Sequence, residues 1–157
     1  METHTWISYA LLAWKQQPIR NTGRPMGSLK LVKNDPQYWE FIRKLRNMDG
    51  VRQGFVQQSE IDPVDQARYM LKYNNNFWIC LDNKTPIGYV GVIDNDIRVA
   101  THPDVQGKGV GSFMINEVMK LNPFAHAKVK LENEASIKLF ERCGFKKKYY
   151  LMEKEDD

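Results

Sequence analysis

A chain of 157 residues is about one domain long, and a domain of that size buries well over half of the surface its unfolded chain exposes. Cys80 and Cys143 lie far apart, and His4, His102 and His126 show no metal-ligand spacing, so disulfide scaffolds and metal modules are set aside and a reduced, cytoplasmic setting is expected. The formal charge of +4 and a pI near 9.0 suit a polyphosphate ligand and weak nucleic-acid contact equally, and "KKK" at 146–148 reads as the solvated face of a strand.

The apolar stretch "WISYALLAW" is short for a membrane span, follows Glu2 rather than a basic region, and lacks a small-residue cleavage site. Trp6, Ile7, Ala10, Leu11 and Trp14 recur at helical spacing and predict an amphipathic helix over 4–16. "QPIRNTGRPMG" behind it has the Pro and Gly content of a linker, so 1–25 is expected to be an extension and 26–157 a single domain.

From Ser28 the alternating run "SLKLVK" predicts a strand over 28–33. Asp35 and Pro36 then open a helix with Tyr38, Phe41, Ile42, Leu45 and Met48 on its apolar face. Asp62 and Pro63 repeat that start signal before Ala67, Met70, Leu71 and Asn74. Three strand-like runs, 76–82, 87–94 and 96–101, have links short enough for an antiparallel meander, and Asp94 and Asp96 suit its turns. Val110, Phe113, Met114, Val118 and Leu121 predict another helix, stopped at Asn122–Pro123. A strand over 127–132, a helix capped by Asn133 and ended by Gly144, and a closing strand or two in "FKKKYYLMEK" complete the order. The expected fold is α+β, a mixed three-layer domain.

In "THPDVQGKGVGS" (101–112), Gly107, Gly109 and Gly111 alternate between a predicted strand and a predicted helix. Backbone N–H groups at a helix N-terminus bind phosphate oxygens, and missing Cβ atoms let a ligand approach. A nucleotide-binding Walker loop does not fit, because Lys108 is followed by Gly109 rather than Ser or Thr. A dinucleotide site stays as a second reading, with Glu132 about twenty residues on as its ribose-binding acid. His102 reads as a turn residue beside the motif, and Cys143 as a small apolar residue at a helix end.

Gln106, Gly109 and Gly111, together with "LENEASIKLFERCGF" (131–145), resemble the two signature blocks of the GNAT superfamily of acyl-CoA N-acyltransferases. The resemblance runs from about Ser28 to the C-terminus and implies a largely antiparallel sheet whose central parallel pair, 96–101 and 127–132, splays around acetyl-CoA. It implies a pyrophosphate on the amides of Gln106, Gly107, Lys108, Gly109, Val110 and Gly111, helped by the Lys108 side chain and the Ser112 hydroxyl. The pantetheine arm is expected along Val99, Ala100 and Thr101, with Asn133 and Phe140 flanking its far end and an N–H near Val99 polarising the thioester carbonyl.

Asp96 and Glu60 are the candidates to accept the amine's proton. The family often has Tyr where this chain has Phe140, so the departing thiolate is expected to take its proton from Tyr149, with Tyr150, Tyr89 or water as alternatives. "LRNMDGVRQGFVQQSEI" (45–61) is similar to the branch that acetylates amino groups of nucleotide-activated sugars: Arg46, Asn47, Arg52 and Gln57 would bind hydroxyls or a diphosphate, and Phe55 would stack on a ring. A ribosomal-protein-type N-terminal acetyltransferase and a non-catalytic acyl-CoA sensor stay open, as does a homodimer. Neither a metal, a nucleic acid nor a membrane is expected as a partner.

Overall fold

A computed structural model of the protein describes residues 27–156, so the helix expected over 4–16 and its linker lie outside the described residues. Four strands, β1 (Leu29–Lys33), β2 (Phe77–Asp82), β3 (Thr85–Ile93) and β4 (Asp96–Thr101), form an antiparallel sheet in the order β1-β2-β3-β4. The meander is closed by residues that tolerate left-handed backbone: Asn83 at φ 56° between β2 and β3, and Asp94 and Asn95 at 52° and 62° between β3 and β4.

The helices begin where their caps predict. Asp35 accepts from Gln37 N at 2.9 Å and starts a 3-10 turn, Pro36–Tyr38, that leads into α1 (Trp39–Asn47). Asp62 accepts from Asp65 N at 2.8 Å and starts α2 (Pro63–Tyr73). α3 is Val110–Leu121, and α4 is Glu134–Arg142, capped by Asn133 through Ser136 N at 3.2 Å and followed by Gly144 at φ 89°.

The sheet is covered on both faces. α1 and α2 bury Phe41, Ile42, Leu45 and Met70 against Phe77, Ile79, Tyr89 and Ala100. α3 buries Met114, Ile115 and Val118 against Cys80, Val90, Val92 and Ile97. The result is the expected three-layer α/β/α arrangement.

Three expectations need correction. Leu71 is 70% exposed; α2 is rotated so that Ala67 and Met70 are buried while Tyr69 and Tyr73, their rings 4.7 Å apart, lean toward Phe77. Residues 127–132 form no strand ladder, and the parallel pairing with β4 is the single bridge Asp96–His126. Residues 145–154 form no closing strand; Tyr149, Tyr150, Leu151 and Met152 are all exposed. Alternation of apolar and polar residues dictates extended backbone, but not which backbone it pairs with.

A Cβ at Gly91 would sit 2.4 Å from Phe77 Cε1, on the face covered by α1 and α2. Gly91→Ala is therefore expected to destabilise by about 1–3 kcal/mol through a displaced core ring. Urea denaturation checks this, and an unchanged midpoint would mean that Phe77 moves aside without cost.

Candidate active site

The site begins where β4 loses its neighbour. Ile97 N donates to His126 O at 2.8 Å, and His126 N to Asn95 O at 2.7 Å, after which β4 and the following segment part. Backbone direction alternates along a strand, so the N–H groups of Val99 and Thr101 point to the same side as Ile97 N, away from β3. Their neighbours point inward, as His102 N shows by donating to Ile87 O at 2.8 Å. An open backbone edge therefore faces the side on which the segment 127–132 departs from His126, and the gap between the two is a cleft.

β4 runs directly into a glycine turn. His102 closes the strand end, its Nδ1 accepting from Asp104 N at 3.1 Å. Gly107 and Gly109 adopt φ 78° and 81°, a region that other residues enter only with strain, and open space surrounds the Cβ position of each. Phe113 N is the first helical donor of α3, bonding Gly109 O at 3.0 Å. The amides of Val110, Gly111 and Ser112 ahead of it have no carbonyl within the helix, and they gather at the positive end of its dipole. Gly111 serves a different purpose: a Cβ there would lie 2.9 Å from Leu139 Cδ2, so this glycine lets α3 approach α4.

A clamped loop closes the third side. Asn47, at the end of α1, bonds both backbone groups of Ile61, donating to its O at 2.8 Å and accepting from its N at 2.9 Å. Arg43 adds a bond to the same carbonyl at 3.1 Å and is itself held by the buried Glu40, Nε to Oε2 at 2.9 Å. Between these anchors the loop reaches the far wall, where Lys130 Nζ donates to Gln53 O at 3.1 Å and Asn133 Nδ2 to Gly54 O at 3.4 Å. Arg46 lies over the Phe55 ring, 4.1 Å from its centroid, and donates to Gln57 O. Arg52 pairs with Glu60 at 2.9 Å and more loosely with Asp49 at 3.4 Å.

Comparison with known proteins bears directly on this arrangement. Residues 73–147, which include β4, the glycine turn and α4, match the family model described as acetyltransferase (GNAT) domain. That stretch, just under half of the chain, is similar to a GNAT acetyltransferase domain. Spermidine N-acetyltransferase from Vibrio cholerae, in complex with CoA and spermine, is similar over 80% of this chain and 85% of its own, with 23% identity and a TM-score of 0.69. Ribosomal-protein-alanine N-acetyltransferase from Brucella melitensis is similar over 74% and 84%, with 15% identity and a TM-score of 0.64. Aminoglycoside acetyltransferase AAC(6')-Ib in complex with coenzyme A is similar over 77% and 86%, with 17% identity and a TM-score of 0.61. At these identities the likeness is one of fold. No curated protein sequence matches the chain.

The residues singled out by sequence form two groups, with Asp96, Phe140 and Tyr149 outside both. Arg46, Arg52, Phe55, Gln57 and Glu60 share the clamped loop and its anchor, while the side chain of Asn47 holds Ile61. Val99, Ala100, Thr101 and the turn from Gln106 to Ser112 line the open edge and its end. Asp96 sits at the closed end of the cleft, Oδ1 accepting from Lys128 N at 3.3 Å. Phe140 is buried and packs edge-on to Phe145 at 5.1 Å, and Tyr149 is 92% exposed. Burial raises the pKa of the Tyr89 hydroxyl, with Tyr69 adding to the rise and Arg46 and Arg98 opposing it. Burial also pushes the Cys80 thiol up to about 12. Among the described residues no cluster of His, Cys, Asp and Glu is placed to hold a metal, and no helix is long and apolar enough to cross a membrane.

Sequence reasoning passed over Arg98, Tyr69 and Lys130. Arg98 Nη1 donates to the Tyr69 hydroxyl at 3.1 Å on the face shared with α1 and α2. The available signal was an arginine set among the apolar residues of "IRVA", where a charge needs a reason.

Two predictions follow from the loop clamp and the strand cap. Asn47→Ala removes the partner of Ile61 N and leaves Ile61 O to Arg43 alone, and it is expected to cost about 1–3 kcal/mol. Hydrogen exchange should then quicken over residues 48–61 while β2 and β3 stay protected; unchanged exchange would mean that Arg43 suffices. Burial lowers the His102 pKa, with Asp104 partly opposing, so the unfolded chain takes up the proton first. Stability from this group is full above about pH 6.5 and declines as pH falls from there toward the lowered folded value. His102→Asn, which keeps an acceptor for Asp104 N, should flatten that decline in denaturation midpoints measured against pH.

Proposed function

We propose that the protein is an acetyl-CoA-dependent N-acetyltransferase, moving an acetyl group to a primary amine by direct transfer within a ternary complex. The observation that carries this reading is the continuity of the open edge of β4 with the glycine turn. Val99 and Thr101 present backbone groups to the cleft, and the unpartnered amides of α3 follow immediately. An extended arm ending in a pyrophosphate matches that order of donors. Acetyl-CoA, when bound, supplies the thioester.

The residues present fit this co-substrate. Gly107 and Gly109 leave open space where side chains would intrude, with Lys108 exposed between them and the Ser112 hydroxyl in the first turn of α3. Gln106 to Ser112 would hold the pyrophosphate, and the edge at Val99, Ala100 and Thr101 would hold the pantetheine arm. Val99 N–H would polarise the acyl carbonyl, since it points into the cleft from a fixed strand and needs no reorganisation. Asn133 ties the far wall to Gly54, and Phe140 supports that wall from the core.

For the amine, Asp96 and Glu60 are the proposed proton acceptors. Asp96 lines the closed end of the cleft, and Glu60 lies opposite Arg52 in the loop. Tyr149 is proposed to protonate the departing thiolate. The acceptor read from the sequence, an amino group of a nucleotide-activated sugar, is supported by the grouping of Arg46, Arg52, Phe55 and Gln57 around one loop. The unpaired Cys80 and Cys143 suit a reduced cytoplasm.

Calorimetry with acetyl-CoA, NAD and ATP side by side tests the reading. Acetyl-CoA is expected to bind and NAD is not; the reverse result overturns it. Gly109→Glu sets a carboxylate in the cradle at a strained φ and is expected to abolish acetyl-CoA binding in a folded protein. Unchanged affinity would move the pyrophosphate elsewhere. Binding of acetyl-CoA without turnover of any amine would favour a sensor over an enzyme.

A further inference from the structure

We propose that the acceptor amine carries an anionic group, phosphate or carboxylate, bound by the guanidinium groups of Arg46 and Arg98 on the sheet face beneath the clamped loop. The amine part of this statement rests on the acetyltransferase reading, whereas the anion site stands on its own geometry. Arg98 projects from the middle of β4 to the face covered by α1 and α2, where its described partner is the neutral hydroxyl of Tyr69. Arg46 stands in the last turn of α1, near enough to Arg98 and the buried Tyr89 for their charges to act on it. Its guanidinium lies on Phe55, one nitrogen donates to Gln57 O, and Nη1 is buried with no partner among the described residues.

Two like charges on partly buried ground need an explanation. A guanidinium has five donors, and leaving a buried one unmade costs free energy. Burial lowers the Arg46 pKa, and the positive charges of Arg98 and Arg52 push the same way against the Tyr89 hydroxyl, so the three arginines feel one another. Among the described residues no carboxylate pairs with Arg46 or Arg98, and the loop carboxylates Glu60 and Asp49 are 75% and 91% exposed and turned to Arg52. The remaining positive charge, arranged as planar forks, matches the two-oxygen face of a phosphate or carboxylate. The same charge opposes a polyamine, although a polyamine acetyltransferase shares the fold.

The test is calorimetry on the full chain, without and with saturating CoA so that the cradle is blocked in one arm. Uridine diphosphate probes the phosphate source, an N-acetylated amino acid the carboxylate source, and spermidine the opposite charge. At least one anion is expected to bind in the CoA-saturated protein, more tightly than spermidine. Arg98→Met is expected to weaken it at least tenfold, roughly 1.4 kcal/mol, while Lys147→Gln, a surface change of the same charge, leaves it unaltered. If Arg98→Met does not fold, Arg98→Lys carries the same expectation with a smaller loss, because it keeps the charge and loses the fork. Failure of both anions to bind, tighter binding of spermidine, or wild-type affinity in the folded arginine variant overturns the proposal. A chain that binds the anion but never acetyl-CoA would refute the acetyltransferase reading and leave the anion site intact.

Discussion

The hydrogen bond from Ile97 N to His126 O is the last sheet contact before β4 is left without a neighbour on one side, and the rest of the site follows from that parting. A strand edge inside a folded domain carries donors and acceptors that must be satisfied by something. Here the edge is flanked rather than covered, with the segment 127–132 on one side and the loop 48–61 across the mouth. Because β4 is held by β3 along its whole length, the open side keeps a fixed direction and presents its backbone groups preorganised.

Two kinds of positive potential then lie along one strand. At its end, the first amides of α3 carry partial positive charge that no single side-chain deletion removes, because the donors are backbone. At its middle, Arg98 and Arg46 bring full charges on side chains, anchored by Tyr69, Phe55 and the Gln57 carbonyl. The loop that meets Arg46 is anchored at its far end: Glu40 is buried, orients Arg43, and Arg43 joins Asn47 on Ile61. An exposed loop of this length would otherwise be among the least stable parts of the domain.

Much of this was legible in the sequence because it is local. Asp35–Pro36, Asp62–Pro63, Asn133 and Gly144 act within a turn of their own positions, and helix ends followed from them. The meander followed from short links, and the turn ahead of α3 from glycines whose positive φ only glycine adopts without strain. Pairing was not legible. The alternation in "AKVKLE" demands extended backbone and says nothing of a partner, and among the described residues the only bridge to β4 lies just ahead of it, at His126. Helix rotation was equally hidden: Leu71 and Tyr69 both border the Ala67–Met70 stripe, and the sheet edge selected the tyrosine because its hydroxyl meets Arg98.

The residues that mislead most are those with a structural duty inside a functional neighbourhood. Asn47 lies in the run that looked like acceptor recognition, yet both ends of its amide are engaged by Ile61. Gly111 lies in the glycine-rich run before α3, yet its missing Cβ makes room for Leu139. Phe140 was expected at the end of a ligand arm, and it is buried against Phe145 in the α3 core, where a phenol would need a partner for its hydroxyl. In each case the residue type fits either duty, and only the direction of the side chain or the space beside the backbone separates them. Arg98 is the converse: it is silent as a motif, yet the strand register turns it toward Tyr69 on α2.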